Sequence, residues 1–257
     1  ELSYNNIVDL EAAWLIAREF DASEAAVTII KHTNPCGTAV DKTLKDAYLS
    51  ALSADPVSAF GSIIGFNQVI DKDTATELSA LFVEAIIAPD FSKEALDILT
   101  QKPSIRLIRH PEFYARLDPT YKHVQGGILR QHANTILIND ATLKTVTTQT
   151  ASEQETKDLM MAFKICKHVK SNAIVISKNG KSIGIGAGQM SRVEAVEIAL
   201  SKAGEDAKGA VLASDAFFPF KDSVALAATA GITAIIQPGG SKRDDESIEA
   251  CNEHNIA

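Results

Sequence analysis

Cysteine, tryptophan and methionine are all scarce, at three, one and three in 257 residues. The cysteines, Cys36, Cys166 and Cys251, are odd in number and far apart, and they form neither a CxxC pair nor a His-flanked cluster. A disulfide framework and a structural zinc site are therefore not expected, and a reducing compartment, the cytoplasm, fits best. No apolar run approaches the ~20 residues that cross a bilayer, and no basic region leads into an apolar segment at the start, so neither a membrane span nor a secretory signal is legible. Positive charge is also in deficit. With 25 Lys and Arg against 33 Asp and Glu, the formal net charge of −8 argues against a broad phosphate-backbone surface and hence against a nucleic-acid partner. A small anionic ligand needs only a few local cations. The chain opens on Glu1 rather than methionine and closes on NEHNIA, as expected of part of something longer.

What is present is apolar. At 46% hydrophobic residues the chain can bury one large core or two modest ones. The runs AVTII, SIIGF, AIIAP, TILIN, AIVIS, AVLAS and TAIIQP, bounded by turn residues, alternate with helical patterns. Asp41 is a candidate cap for a helix with Leu44, Ala47, Tyr48, Ala51 and Leu52 on one face. Ser152 with Glu155, and Ser191 with Glu194, read as capping boxes. Their helices should turn Leu159, Phe163 and Cys166 inward, and Val193, Val196, Ile198 and Leu200 inward. The alternation predicts a layered α/β protein with a largely parallel, buried sheet.

The chain also partly repeats. AAVTIIK from Ala25 matches NAIVISK from Asn172, 147 residues on, and AIIAP from Ala85 matches AIIQP from Ala234, 149 residues on. Nearly equal offsets predict two similar lobes in tandem, residues 1–150 and 151–257, divided near the polar stretch VTTQTASEQE. The alternative is a single long α/β sheet with recurrent AII strands.

Three stretches can carry chemistry. In TIIKHTNPCG, Lys31 and His32 close an apolar strand, where α/β proteins bind ligands, and TNPCG should bend the chain through Pro35 and Gly37 so that both side chains face one pocket. Histidine can take a proton near neutrality, and lysine can stabilise an oxyanion. In SIGIGAGQMSRVEAV, glycines 184, 186 and 188 and the helix after Ser191 suggest an anion seat, with Arg192 suited to a phosphate. A dinucleotide fingerprint is the competitor, but Gln189 stands where it needs glycine. In SDAFFPFKDSV, phenylalanines beside Asp215 and Asp222 form either an apolar wall for a planar ligand or ordinary packing. Each stretch also has a plain structural reading: a solvated lysine beside a locally bonded histidine, and a glycine-rich turn with an exposed arginine.

Taken in order, KHTNPCG, DPVSAFG, AIIAPDF, KSNAIV, GAGQMSRV, SDAFFPFKD and QPGGSKRD resemble the AICAR transformylase domain of the bifunctional purine-biosynthesis enzymes, along essentially the whole chain. The resemblance implies two cytidine-deaminase-like, three-layer lobes with mixed, largely parallel sheets. It implies formyl transfer from 10-formyltetrahydrofolate, as co-substrate, to the amine of 5-aminoimidazole-4-carboxamide ribonucleotide, on the way to inosine monophosphate. By the same resemblance Lys31, His32 and Asn172 are catalytic; Asn6, Gly61, Arg192, Phe217 and Asp222 bind the nucleotide; and Glu84, Ser241 and Lys242 meet the folate. No catalytic metal is implied, although a monovalent cation near Asp215 is. A homodimer with shared active sites and a covalently linked IMP cyclohydrolase domain, absent from this sequence, are further implications. The family's arginine-tyrosine segment before ELSYNN and arginine-phenylalanine segment after NEHNIA are also absent, so this stretch alone could be inactive. The same anion seat and aromatic wall suit two other readings, a non-catalytic nucleotide-binding module and a nicotinamide-dependent dehydrogenase.

Overall fold

The computed structural model describes residues 1–135, 138 and 142–257. The predicted TILIN strand falls largely outside the described residues. Helix α1 (Tyr4–Ala17) precedes a hairpin of β1 (Ala25–Lys31) and β2 (Asn34–Asp41), then α2 (Leu44–Ala54), β3 (Ser62–Phe66), α3 (Lys72–Leu78), β4 (Val83–Ala88), α4 (Lys93–Leu99) and β5 (Arg106–Arg109). A separate two-stranded hairpin follows, β6 (Thr120–Val124) and β7 (Gly127–Gln131), with every residue but Val124 exposed. The plan then recurs as α5 (Glu153–Cys166), β8 (Ile174–Lys178), β9 (Lys181–Gly186), α6 (Arg192–Ala203), β10 (Val211–Ser214), α7 (Asp222–Thr229), β11 (Ala234–Ile236) and α8 (Asp244–Glu253).

Nine of these strands form one sheet, in the order β11-β10-β8-β9-β2-β1-β3-β4-β5. From the β9/β2 seam outward, both halves pair alike: hairpin partner, antiparallel third strand, parallel fourth. The expectation of a largely parallel sheet is corrected here. Only β3/β4, β4/β5 and β10/β11 run parallel, at the two wings, and the centre is antiparallel. The sheet is mixed because each half begins with a hairpin.

Strand periodicity sorts the core into layers. Ala26 and Ile30 face α1, as Val175 faces α5, and these two helices cover one side of the sheet with a continuous apolar cluster. Val27 and Ile29 face α2, α3 and α4 on the other side, and Ile174 and Ile176 face α6, α7 and α8. Helix starts follow local chemistry. Ser3 with Asn6 and Ser152 with Glu155 form reciprocal capping boxes, 149 residues apart. The cap of α2 is Thr43, whose hydroxyl accepts the Asp46 N–H, rather than Asp41, which ends β2.

Glycines set how closely helix and sheet approach. A Cβ on Gly37 would stand 2.0 Å from the Ala51 carbonyl oxygen; one on Gly184 would stand 2.1 Å from that of Ala199, and one on Gly186 1.9 Å from that of Ala195. Helix α6 therefore buries Ala195, Val196, Ala199 and Ala203, while Val193, Ile198 and Leu200 are only partly covered. Gly184 and Gly186 belong to a strand and not to the anion-binding turn read from the sequence. Of the three glycines only Gly188 has a left-handed φ, +70°.

Candidate active site

Lys31 and His32 do sit where the chain reverses, but the turn is His32 and Thr33, with φ of 53° and 64°. Lys31 pairs with Asn34, so this is a two-residue hairpin loop of the kind that requires both φ positive. Pro35 and Gly37, expected to make the bend, lie inside β2. A bulge between Ile29 and Ile30 shifts the register at Cys36, and such breaks are where a strand tolerates proline. The Lys31 ammonium donates to the carbonyls of Phe60 (2.8 Å) and Gly61 (3.0 Å). Gly61, at φ +66°, leaves no Cβ between that ammonium and the Phe82 ring. The His32 imidazole is exposed. The His32 carbonyl accepts from the Thr33 hydroxyl (2.6 Å) and the Asn34 amide (3.2 Å), and Asp9 Oδ1 accepts the Thr33 N–H (2.7 Å).

Two further expected residues join this group. Asn6 is buried and donates to Glu84 Oε2 at 2.9 Å, and Arg106 lies 3.8 Å from the same oxygen. Glu84 is on β4, next to the strand that Gly61 leads into, so five of the expected residues share the first half of the sheet.

The remainder gather in the second half. Asn172 donates to the carbonyls of Gln189 (2.8 Å) and Met190 (3.1 Å) and accepts from Arg192 at 2.7 Å. Arg192 is 8% exposed and is ion-paired to Asp215 Oδ1, which also accepts the Ala173 N–H at 3.0 Å. Among the described residues the arginine's Nε is buried without a partner. Burial works to raise the Asp215 pKa, but hydrogen bonds from Ser171, Arg192 and Ala173 and the guanidinium charge hold it below the ordinary carboxylate value. Both terminal nitrogens of Arg192 are thus engaged inside the protein, and reaching a phosphate would require it to leave Asp215. The same pairing bears on a monovalent cation: the Asp215 charge is already balanced by the guanidinium. Among the described residues no three His, Cys, Asp or Glu side chains gather as a metal site.

The aromatic stretch divides. Phe218 is core, its N–H bonded to Gln237 Oε1 at 2.6 Å, whereas Phe217 is exposed and Phe220 lies under Arg243 at 5.1 Å. Asp222, the first residue of α7, is exposed and accepts the Ser223 N–H. Ser241 accepts the Arg243 N–H, and Lys242 is exposed. Phe217, Asp222, Ser241 and Lys242 therefore stand on one flank, joined by the Phe218 to Gln237 and Phe220 to Arg243 contacts.

A direct bond links the two groups: Asn34 Oδ1 accepts the Lys170 N–H at 3.0 Å, and the Lys170 carbonyl accepts from Gly188. Lys31 also lines a cavity of ≈ 260 Å³ between the halves, with Cys36, Asp55, Gly184, Ile198 and Lys202. Arg192 does not line it. Burial, then the Asp55 charge, pushes the Cys36 thiol up to about 12, so it is no thiolate nucleophile at neutral pH. Sequence reasoning missed Asp9, Asn34 and Lys170. Matching KHTN to KNGK at the 147-residue offset would have found the hairpin, since Asn-Gly between strands is a turn signal.

Fold and site define an α/β protein whose candidate ligand-binding groups come from two topologically equivalent halves of one sheet. Residues 1–202 match the family model of the AICARFT/IMPCHase bienzyme, and the chain belongs to that family. It is 52% identical, over 262 residues, to the bifunctional purine biosynthesis protein PurH of Persephonella marina, and 51% identical over 258 residues to that of Anoxybacillus flavithermus. The PurH of Synechocystis sp. is 53% identical over 253 residues. The first two matches cover 100% of this chain and the third 98%, but each covers 50% of the relative, so the chain spans about half the length of the curated relatives it matches. No described helix is long and apolar enough to cross a membrane.

Proposed function

We propose that this chain carries the formyl-transfer half of its bifunctional family: a formyl group passes from 10-formyltetrahydrofolate to the amine of 5-aminoimidazole-4-carboxamide ribonucleotide, in the cytoplasm. The observation that carries this reading is the hydrogen-bonded path that joins the Lys31 and His32 hairpin, through Asn34, Lys170 and the Gly188 to Met190 loop, to the Asn172, Arg192 and Asp215 cluster of the other half. The acceptor amine, on an electron-poor ring, is a weak nucleophile, so its attack on the formyl carbon needs proton removal in the same step. His32, exposed at the turn, takes that proton. Lys31, already donating to two carbonyls, can turn a donor to the tetrahedral oxyanion, a contribution of ~3 kcal/mol. Collapse of that intermediate breaks the bond between the formyl carbon and the folate nitrogen, which leaves as tetrahydrofolate after taking a proton from Lys31 or from the protonated His32. Asn172 orients the nucleotide and is itself held by Arg192. Asn6 with Glu84 and the Gly61 opening form one wall, for nucleotide and folate, and Phe217, Asp222, Ser241 and Lys242 form the opposite one.

The mirrored strand order supports two tandem lobes of cytidine-deaminase type, meeting near residue 150. A homodimer with shared sites is supported by apolar exposure close to the site: Tyr4 (82%), Phe60 (62%) and Met190 (88%), together with the exposed β6/β7 arm. The linked cyclohydrolase domain accounts for the other half of the relatives' length.

The test is to give the full-length protein both substrates and follow tetrahydrofolate release by absorbance. His32→Ala should lower turnover ~10²–10⁴-fold with the nucleotide still bound. Near-normal turnover with weakened nucleotide binding overturns the base assignment, and binding of both substrates without any turnover in the unmutated protein overturns the enzyme reading.

A further inference from the structure

The candidate catalytic hairpin has a counterpart in its own chain. Lys31, His32, Thr33 and Asn34 correspond to Lys178, Asn179, Gly180 and Lys181, and both hairpins carry the same bulge, after Ile29 and after Ile176. Both loops have two positive φ angles, 53° and 64° against 53° and 75°. In the second half the residues suit that backbone, because asparagine and glycine enter the left-handed region readily. In the first half the same backbone is imposed on a histidine, which enters that region less readily than glycine, and on a β-branched threonine, for which alone of the two a positive φ is a genuine outlier.

A helix carboxylate answers each turn. On α5, Asp158 accepts the N–H groups of Asn179 (2.9 Å) and Gly180 (2.7 Å). On α1, Asp9 stands 149 residues earlier and accepts the Thr33 N–H at 2.7 Å. Asp158 is buried and supports a turn that glycine already favours; Asp9 is half-buried and is the side chain that ties an unfavourable turn to a helix.

We propose that Asp9 is a positioning residue for formyl transfer: its bond to the Thr33 N–H holds the strained turn so that His32 is presented to the substrate amine. This rests on the reading of His32 as the reacting base. Asp9 touches no reacting atom, and its effect reaches the chemistry through the backbone of residues 32 and 33. Strain of this kind persists only where neighbouring groups over-determine it.

The experiment compares Asp9→Ala, Asp9→Asn, Asp158→Ala and His32→Ala in the full-length protein, measuring kcat, KM for both substrates and the thermal midpoint. Loss of a charge-assisted hydrogen bond predicts that Asp9→Ala lowers kcat roughly tenfold to a hundredfold. KM should stay within about twofold, because uniform binding is untouched. Asp9→Asn should keep most of the activity, because its amide oxygen can accept the same N–H. Asp158→Ala should lower the thermal midpoint and leave kcat of the folded enzyme unchanged. Unchanged kcat in Asp9→Ala, alongside an inactive His32→Ala, overturns the positioning role and leaves the histidine assignment standing. Normal turnover in both overturns both. A loss in Asp9→Ala that tracks the thermal midpoint and is not rescued by Asp9→Asn reduces Asp9 to a structural contact and equally overturns the proposal.

Discussion

In the first half of the sheet the hairpin loop carries His32 and Thr33 in a backbone that disfavours them, while the end of β3 is plain: Asn67 accepts the Ala26 N–H and donates to the carbonyls of Asp21 and Glu24. In the second half the arrangement is reversed. The loop is an undemanding Asn179 and Gly180, and at the end of β10 Asp215 accepts the equivalent Ala173 N–H but is a carboxylate paired with a buried arginine. The residue at the arginine's position in the first half is Leu44, also buried. Each half thus keeps one of two equivalent positions ordinary and loads the other with polar chemistry. A duplicated scaffold can accept costs at two places because the ordinary copy shows that the backbone folds without them.

The comparison is broken most severely at the ion pair. Asp215→Asn makes the second half chemically like the first but leaves a buried guanidinium uncompensated, which should cost about 3–5 kcal/mol in urea unfolding. Adding Arg192→Leu, so that both positions match Asn67 and Leu44, should recover most of that loss, because a buried pair replaced by packed apolar groups is often neutral. Failure of the double variant to recover would mean the two halves are not interchangeable there.

The close helix approach is the next test. Gly37→Val and Gly186→Val each drive a side chain into a helix carbonyl, and each should destabilise by about 1–3 kcal/mol or more, with similar values for the two halves. Thermal or urea midpoints would show whether one half yields more easily than the other.

Exchanging the turn residues sharpens the contrast further. Gly180→Thr places a Cβ 2.9 Å from the Val40 carbonyl and imposes the left-handed penalty, a loss of about 1–2 kcal/mol or somewhat more. Thr33→Gly should instead stabilise slightly, by up to about 1 kcal/mol, as measured by unfolding.

The smallest effect concerns pH. Burial raises the Glu19 pKa, but bonds from His168 (2.9 Å) and Lys167 (2.7 Å), which join the end of α1 to the end of α5, bring it below the ordinary value. Asp215 is lowered as well. A carboxylate with a lowered folded pKa stabilises the fold above its unfolded value, and that contribution is lost as pH falls through the folded one. The contribution of these two carboxylates to the unfolding free energy should therefore be level above the ordinary carboxylate range and decline below it, and Glu19→Gln should flatten part of the decline.

Much of this was legible in the residues. The two-part repeat, the caps at Ser152 and Ser191 and the apolar strands β1, β3, β4, β8, β10 and β11 follow from periodicity and turn chemistry, which act over a few residues. Strands β2 and β9 were not legible, because NPCGTAVD and KSIGIG carry proline and glycine that look like turns. Their glycines serve contacts with helices that only folding brings near. For the same reason Gly184 and Gly186 passed for an anion loop.

Sequence alone determined the family and the two-part repeat and named the candidate reactive pair, since each is written in residue types and their order. Tertiary structure decided what those residues touch. It turned Arg192 inward onto Asp215, set Asn6 on Glu84, and placed Asp9 under the Thr33 N–H across 24 residues of chain. Such pairings depend on packing between distant segments, where burial makes each polar group find a partner, and no local rule specifies which one.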